Sequence, residues 1–345
     1  MRRGIVLASF VLTSLCSCSE ARDPNSLLGP DRSETIVVDA RLVVGQGFPG
    51  IALTTTMSTN EPYNREQARI HGATMILTMG DRDTVWYQDG GIGYTYGAVG
   101  GTVPNRVEPR TTYVLHVRTI DGRVVTAQTT TPDTFHVHEW LLMDGTTFEV
   151  RRRLAAPEYP DLFRPLPDGA AKFDSVFYAP SNQLIYQDGL VEARFDRGNA
   201  LAFQMALYNL ESNSPLLVNA DFVSEADLAK LERQSSSPPL DAPDGYTRLP
   251  WAAVWYQGLH VFAVYSLDRN WYDLARSVRF YAPQGLGFGT NAGDDFEKPI
   301  FHVQGGIGLF GSAAVDWTGF TVWPPGGQPQ ARSTPSAARA RYPGR

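Results

Sequence analysis

The stretch that decides the predicted fold is YVLHVRTIDGRVVTAQT, residues 113–129. Its first half, beginning at Tyr113, places an apolar side chain at every second position, which is the period of a half-buried β-strand. Asp121 and Gly122 follow, a pair that tolerates the positive φ angles of a tight turn, and residues 124–129 then run back. The stretch therefore predicts a β-hairpin.

The same period of two occurs twice before this hairpin. Residues 36–44 carry apolar side chains at alternate positions, with charged side chains on the other face. Residues 73–79 repeat the pattern and lead through a polar turn into a short strand at residues 84–87. Short strands separated by turns at this spacing predict an immunoglobulin-like β-sandwich, which we place over residues 35–134.

Residues 135–323 predict a second domain that is also rich in β-structure. The run at residues 201–207 alternates like a strand, although its Ala, Met and Leu also favour a helix; a strand is the preferred interpretation. Residues 135–149 and the proline-dense residues 156–167 indicate no clear structure. Other patterns predict strands at residues 176–178, 184–186 and 260–265, helices at residues 225–232 and 267–278, and a mobile loop at residues 235–244. The expected fold class is therefore mostly β: an immunoglobulin-like β-sandwich followed by a second β-rich domain with one or two short helices.

The first eighteen residues predict export and a lipid anchor. Arg2 and Arg3 precede a mostly apolar run that is too short to span a bilayer of roughly 30 Å as a helix, so residues 1–17 are expected to be a signal peptide. Residues 15–18, Leu-Cys-Ser-Cys, resemble a bacterial lipobox, and on that resemblance Cys18 becomes the lipidated first residue of the mature protein. The alternative is an ordinary secretory signal that is cleaved nearby.

Polar, unpatterned segments flank the expected body. Residues 18–34 combine the lipidated Cys with Ser, Asp, Pro, Asn and Gly, which predicts a flexible tether between the lipid and the first strand. Residues 324–345 are rich in Pro, Gly, Ala and Arg, which predicts a disordered tail.

The composition excludes several classes of function. The chain carries 30 basic and 36 acidic residues, a net charge of −6. Removal of residues 1–17 takes away Arg2 and Arg3, and the remaining 28 basic and 36 acidic residues give −8. An acidic body argues against nucleic-acid binding, which depends on clustered Lys and Arg. Both cysteines, Cys16 and Cys18, lie in the signal region, which excludes disulfides, thiol catalysis and a cysteine metal cage from the body.

Two polar clusters are candidate metal sites. His136 and His138 would share one face of a strand, so both imidazoles could contact one ion, with a third ligand from His260 or His302. The polar face of a connecting strand is the plainer and favoured interpretation. The acidic residues 294–297 lack the alternate spacing of a calcium loop and favour a solvated loop. We therefore expect no metal and no other cofactor.

Aromatic and glycine-rich stretches allow other interpretations. An aromatic-rich zone could stack on sugars or anchor a protein partner, and core packing is the alternative explanation; its members are Trp251, Trp255, Tyr256 and Trp271. The glycine-rich residues 285–289 and 305–308 lack the Lys and the Ser or Thr that a phosphate loop would need. They favour tight turns and close approach of the backbone.

Three stretches resemble bacterial lipoproteins of the domain of unknown function family 4249. They are residues 36–53 with 72–75 and 113–132, residues 260–272, and the glycine-rich residues 303–311. His302 and Gln304 depart from the family pattern, in which an Asn commonly precedes the paired glycines. The resemblance implies an immunoglobulin-like N-terminal half and an outer-membrane lipoprotein that is often encoded near TonB-dependent transporters. It implies no enzymatic activity.

The sequence therefore favours a lipid-anchored outer-membrane lipoprotein that acts as a non-catalytic binding or assembly module. Its expected partners are the membrane, through the N-terminal lipid, and an outer-membrane transporter or other envelope protein. One alternative is a secreted or surface hydrolase that acts on glycans, which would place two carboxylates about 5 to 10 Å apart in a deep cleft. The other is a purely structural envelope protein.

Overall fold

The computed structural model describes most of the expected body. The described residues are 34–58, 62–80, 83–90, 95–99, 106–155, 182–211, 214–217, 233–277 and 299–327. Several predictions fall outside these residues: the signal peptide, Cys18 and the tether, the strand at 176–178, the helix at 225–232, the glycine-rich residues 285–289, the acidic residues 294–297 and the tail from residue 328 onward.

The described part of the N-terminal half holds seven strands and one short helix. They are β1 (Ile36–Val43), β2 (Ile51–Thr55), α1 (Arg65–Ala68), β3 (Thr74–Met79), β4 (Asp83–Asp89), β5 (Thr95–Val99), β6 (Thr112–Arg118) and β7 (Val124–Thr130).

The described part that follows adds ten strands and one α-helix. They are β8 (Val137–Met143), β9 (Val150–Arg153), β10 (Gln183–Ile185), β11 (Leu190–Phe195), β12 (Ala202–Asn209), β13 (Gln234–Ser236), β14 (Tyr246–Leu249), β15 (Gly258–Leu267), α2 (Arg269–Ser277), β16 (Val303–Gln304) and β17 (Ile307–Trp323). The fold is mostly β, a β-sandwich followed by a second β-rich domain, as predicted.

One large sheet links the two halves of the chain. Its strand order is β13-β12-β15-β17-β1-β2-β5-β4-β3-β6-β7-β16, with β10 attached to β17. The predicted hairpin is confirmed, since β6 and β7 pair antiparallel from Thr112 opposite Thr130 to Arg118 opposite Val124. The strands β8, β9, β11 and β14 form a second, smaller sheet.

The first core is enclosed by the part of the large sheet that runs from β17 to β16. This sheet curls until β16, at its far end, continues through a glycine turn into β17. Alternate residues of each strand point inward because the side-chain period of a strand is two. The buried side chains of the first core include Ile36, Val38, Leu53, Met75, Leu77, Tyr113, Leu115, Val125 and Phe310.

The second core lies between the smaller sheet and the strands β12, β15 and β17. Aromatic rings meet across it: Trp140 packs edge-on against Phe262 with ring centroids 5.5 Å apart, and Phe195 and Phe203 lie 4.5 Å apart. A third core covers the opposite face of β12, β15 and β17 and contains Ala206, Tyr208, Val261, Ala263, Tyr265, Leu267, Ala313 and Trp317. All eight residues of β12 are buried because both of its faces are covered.

The structure decides several open predictions in the second half. Residues 202–209 form a strand rather than a helix, and residues 269–277 form the predicted helix. Residues 137–143 form β8, which pairs with β11 and β9. Four of its buried side chains are consecutive, so the sequence shows no period of two there. The loop predicted at residues 235–244 is partly wrong, since β13 pairs with β12 and Leu240 bridges to Phe203. The boundary at residue 134 stays a prediction.

Candidate functional site

A cleft of about 560 Å³ lies where β16 and α2 meet the outer face of β6 and β7. Its size falls within the range of small-molecule binding sites in proteins. Its lining combines apolar, imidazole, amide and hydroxyl groups and includes Val114, His116, Thr126, Gln128, Asn270, Phe301, His302 and Gln304.

One wall of the cleft is the outward face of the hairpin β6–β7. Because side chains alternate along β6, Leu115 and Val117 enter the first core, and Val114 and His116 point outward. Antiparallel pairing sets His116 opposite Thr126 and Val114 opposite Gln128. Directly opposed residues on one face have Cβ atoms about 5 Å apart, so these four side chains form a compact surface.

The other wall is the short strand β16, which pairs with β7. Gln304 lies opposite Thr126, and the Thr126 hydroxyl donates to Gln304 Oε1 over 3.4 Å. The chain must then turn sharply into β17. Gly305 has a φ of +77°, and a Cβ there would lie 2.2 Å from the carbonyl oxygen of Val124. The close-approach interpretation of residues 305–308 is therefore confirmed at its first glycine.

The helix α2 lines part of the cleft through Asn270 and is fixed to the strands around it. The Asn270 side-chain amide donates to the carbonyl oxygens of Gln128 at 2.6 Å and Phe310 at 2.8 Å, which fixes the helix to β7 and β17. The hydroxyl of Ser277 accepts from the backbone N–H of Ile300 at 2.8 Å. The segment that leads into β16 is thereby held against the last turn of the helix.

The Asp273 carboxylate orients His302 at the edge of the cleft. Its Nε2 lies 2.8 Å from Oδ2 of Asp273, whose side chain is 8 % exposed. The other oxygen of Asp273 accepts from Nε of Arg276 at 2.9 Å. This contact of Nε2 with Asp273 fixes the orientation of the His302 ring on the cleft wall.

A buried carboxylate joins the elements behind the cleft. Asp268 accepts from the backbone N–H of Trp271 at 2.8 Å, which caps the start of α2. It also accepts from the hydroxyl of Thr129, and that hydroxyl lies 2.9 Å from Oγ of Ser312. Burial raises the pKa of the Asp268 carboxyl above its usual value. The Asp268 side chain thus ties α2 to β7, and through Thr129 to β17.

An exposed row of side chains continues from the cleft across the sheet. Strand pairing places six residues side by side on the outward face: Val99, Trp86, Ile76, His116, Thr126 and Gln304. We call these six residues the outer row. Trp86 is 56 % exposed and Val99 is 42 % exposed, so the row ends in an apolar, solvent-facing surface.

The structure does not gather the predicted histidine ligands. His136 has an 83 % exposed side chain with Nδ1 3.7 Å from Oδ2 of Asp316, and His138 is exposed on β8. His260 is buried between β12 and β17, and His302 lies in the cleft. Within the described ranges, no three His, Cys, Asp or Glu side chains are placed to share a metal ion.

The four predicted aromatic contacts lie in different environments. Trp251 packs at the edge of the second core, where its Nε1 donates to the carbonyl oxygen of Gly189 at 2.6 Å. Tyr256 is buried under the guanidinium of Arg233, and Trp255 next to it is partly buried. Trp271 packs against the third core, 5.7 Å from the ring of Tyr265. Trp251 and Trp271 are therefore on opposite faces of the same sheet.

Neighbouring carboxylates on the smaller sheet are joined by arginines. Glu192, which is 1 % exposed, accepts from Nε of Arg194 and Nε of Arg248, each at 2.7 Å. Glu139 contacts Arg153 at 2.5 Å and Arg194 at 3.6 Å. This network holds the strands β8, β9, β11 and β14 together across their outward face.

Apart from His302, which was named as a possible third metal ligand, sequence reasoning did not single out the residues of the cleft wall and the outer row as a site. Trp86 stands between Val85 and Tyr87, so three successive apolar residues leave the inward face of β4 undetermined. The polar residues His116, Thr126 and Gln128 follow the hairpin period and could have been assigned to its outward face. Their meeting with β16 depends on a pairing across 178 positions of sequence.

Comparisons with protein families and curated proteins find no match to this chain. No protein-family model matches the chain, and no curated protein is significantly similar to it. Of the helices in the described ranges, neither has the length and hydropathy that a membrane span requires. The resemblance to the domain of unknown function family 4249 stays a prediction.

Proposed function

We propose that this chain is a lipid-anchored outer-membrane lipoprotein that binds a ligand or partner without catalysing a reaction, as an accessory to a TonB-dependent transporter. The observation that carries the binding role is the cleft together with the outer row. They form one continuous surface of hydrogen-bonding and apolar side chains on a rigid β-scaffold. A depression in which several polar groups converge beside apolar ones is typical of a recognition site.

The hydrogen bonds behind the cleft hold its walls in place, which favours a preformed binding surface over a mobile one. Asp268 and Asn270 hold α2 to the strands, and the Ser277 hydroxyl holds the segment before β16. A preorganised surface loses less conformational entropy when it binds, which raises affinity. The neighbouring carboxylates Glu139 and Glu192, of the kind that the hydrolase alternative would need, are held in ion pairs with arginines.

The expected anchor places this surface close to a membrane. A tether of residues 18–34 would reach roughly 55 to 60 Å when fully extended, and about 20 to 25 Å as a flexible coil. The body would then hang within one protein diameter of the bilayer. That position suits an accessory that contacts an integral transporter.

Lipidation is tested by replacing Cys18 with Ser in cells fed a clickable palmitate analogue. We expect Cys18→Ser to abolish labelling and to release the protein from the membrane fraction. Cys16→Ser is the matched control, because it removes the neighbouring thiol, two positions earlier, and should leave labelling unchanged. Equal membrane partitioning of wild type and Cys18→Ser would contradict the anchor.

The binding role is tested with a photocrosslinking amino acid in whole cells. We expect residue 302, in the cleft, to crosslink one discrete envelope component when the full chain is expressed at its native level. His138 is the matched control position, since it is an exposed histidine on β8, away from the cleft lining. Identical crosslinking patterns from the two positions would contradict a specific binding surface at the cleft.

A further inference from the structure

On the basis of the proposed function, we infer that the cleft and the outer row bind a neutral glycan chain laid across the strands. The surface combines two features that sugars recognise at once. It offers neutral groups that donate and accept hydrogen bonds, and it offers an exposed aromatic ring.

The polar half of the surface matches hydroxyl groups. A sugar hydroxyl both donates and accepts, and so do the side chains of His116, Thr126, Gln128 and Gln304 taken together. Among the described residues, the side chains of His116 and Gln128 make no hydrogen bond to the protein. They are therefore available to a ligand, and His302 lines the same cleft.

The apolar half of the surface matches the C–H face of a sugar ring. Trp86 is 56 % exposed on the outward face of β4, with Val99 and Ile76 on either side of it in the outer row. Exposed apolar patches that are bordered by polar residues mark binding sites. A pyranose ring stacked on the indole would cover this patch while its hydroxyl groups stay in water or reach the polar border.

The charge of the outer row favours a neutral glycan over an acidic one. None of its six members is a carboxylate, a guanidinium or an ammonium group. An anionic polymer or a nucleic acid would need Arg or Lys at the points of contact. A neutral polyol needs none, and it gains hydrogen bonds without the cost of burying a charge.

The length of the outer row favours an oligosaccharide over a single sugar. The row crosses six strands, and neighbouring strands lie about 4.8 Å apart, so it follows the curved surface of the sheet for roughly 24 Å. The cleft occupies one end and Trp86 lies towards the other. A ligand that contacts both must be a chain of several rings.

The inference is tested by calorimetry on the full mature chain in detergent. The probes are cellohexaose, maltoheptaose and mannohexaose, with polygalacturonate as the anionic counterpart. We expect at least one neutral probe to bind and polygalacturonate to bind more weakly. Trp86→Ala should weaken that binding about tenfold, because it removes the stacking surface. Tyr63→Ala is the matched control, since Tyr63 is a 65 % exposed aromatic outside the outer row, and it should bind as wild type does.

The possible failures are distinguishable. Absence of binding to all three neutral probes, or equal binding by Trp86→Ala and wild type, would overturn the glycan assignment. If a protein then crosslinks from residue 302, the surface docks a protein partner and only the glycan assignment is lost. If position 302 also gives the pattern of the control position, the proposed binding function is lost with it.

Discussion

His260 is a buried imidazole in the second half of the chain, and its surroundings determine its protonation state in the folded protein. Nδ1 of His260 donates to the carbonyl oxygen of Gly258 at 2.9 Å, so its Nε2 accepts from the side-chain amide of Asn209 at 3.3 Å. The ring stacks on Phe320 with centroids 5.9 Å apart. Burial lowers the pKa of His260 to about 4, because a charged ring would lose its hydration. The folded chain therefore holds His260 neutral.

The low pKa of His260 predicts acid sensitivity. Between pH 6.5 and pH 4 the unfolded chain binds a proton that the folded chain refuses, so the free energy of unfolding should fall as the pH falls. This group should contribute a loss of up to about 3 kcal/mol, all of it below pH 6.5. Urea denaturation across this pH range measures the slope, and His260→Gln should remove this component.

The matched measurement is urea denaturation of the wild-type chain at the same pH values. The comparison is of slopes rather than of absolute stabilities, since Gln in place of a buried His also changes packing. A His260→Gln variant with the full wild-type slope would refute the assignment.

Individual residues were the hardest feature to predict from the sequence. The density of aromatic residues along the chain indicates four candidates, yet Trp251 packs at the edge of the second core and Tyr256 is buried. Trp86, which is more exposed, was not singled out. Composition identifies aromatic side chains but not the face of the strand that each one occupies, and that face is decided by pairing with distant strands.

At the scale of elements, β17 is the strand that the other parts share. Residues 307–313 pair with β1 in parallel, and residues 313–322 pair antiparallel with β15. Phe310 enters the first core, Ala314 and Phe320 enter the second, and Trp317 enters the third. One strand therefore supplies side chains to all three cores.

The parallel pairing of β1 with β17 depends on Gly308. Its φ is +110°, and a Cβ there would lie 2.1 Å from the carbonyl oxygen of Val38. Gly308→Ala should therefore force β1 and β17 apart and lower the free energy of unfolding by at least about 2 kcal/mol, as measured by chemical denaturation.

Gly97→Ala provides the comparison for this substitution. Gly97 also lies in a strand, β5, but a Cβ there meets no atom within 4 Å. Its effect should stay within about 0.5 kcal/mol. If Gly308→Ala and Gly97→Ala were equally stable, the close approach of Gly308 to Val38 would not be what requires glycine at position 308.

Elements with local signatures were predictable, and those with distant partners were not. The hairpin β6–β7 and the helix α2 carry their period and turn residues within the stretch itself. The sequence of β17 has no period of two, because different lengths of it face different cores and its buried positions are often consecutive. Strand β8 was missed for the same reason.

At the scale of the whole molecule, the N-terminal half is completed from the far end of the chain. Strand β1 has β17 as one neighbour, and β7 has β16 as one neighbour. Phe310 fills part of the first core. The predicted boundary at residue 134 therefore separates the N-terminal sandwich from strands that border its sheet.

A fragment of residues 35–134 should consequently fail to fold on its own. It would expose one edge of β1 and leave the space of Phe310 empty, which destabilises a small β-sandwich. Nuclear magnetic resonance of the labelled fragment should give poorly dispersed amide signals. Residues 299–313 attached through a flexible linker should restore dispersion. A well-dispersed spectrum of the fragment alone would show that the sandwich is independent.

The parallel alignment of β1 and β17 has a mechanical consequence for an anchored protein. A lipid at the N-terminus would hold the chain at the start of β1, while a partner gripping the second half would draw on the opposite end of β17. The two strands would then slide past each other along their length, and all seven paired positions from Val37 to Val43 would resist together. Under the proposed anchoring, such a load would therefore be shared by these seven pairs at once rather than carried by one hydrogen bond at a time.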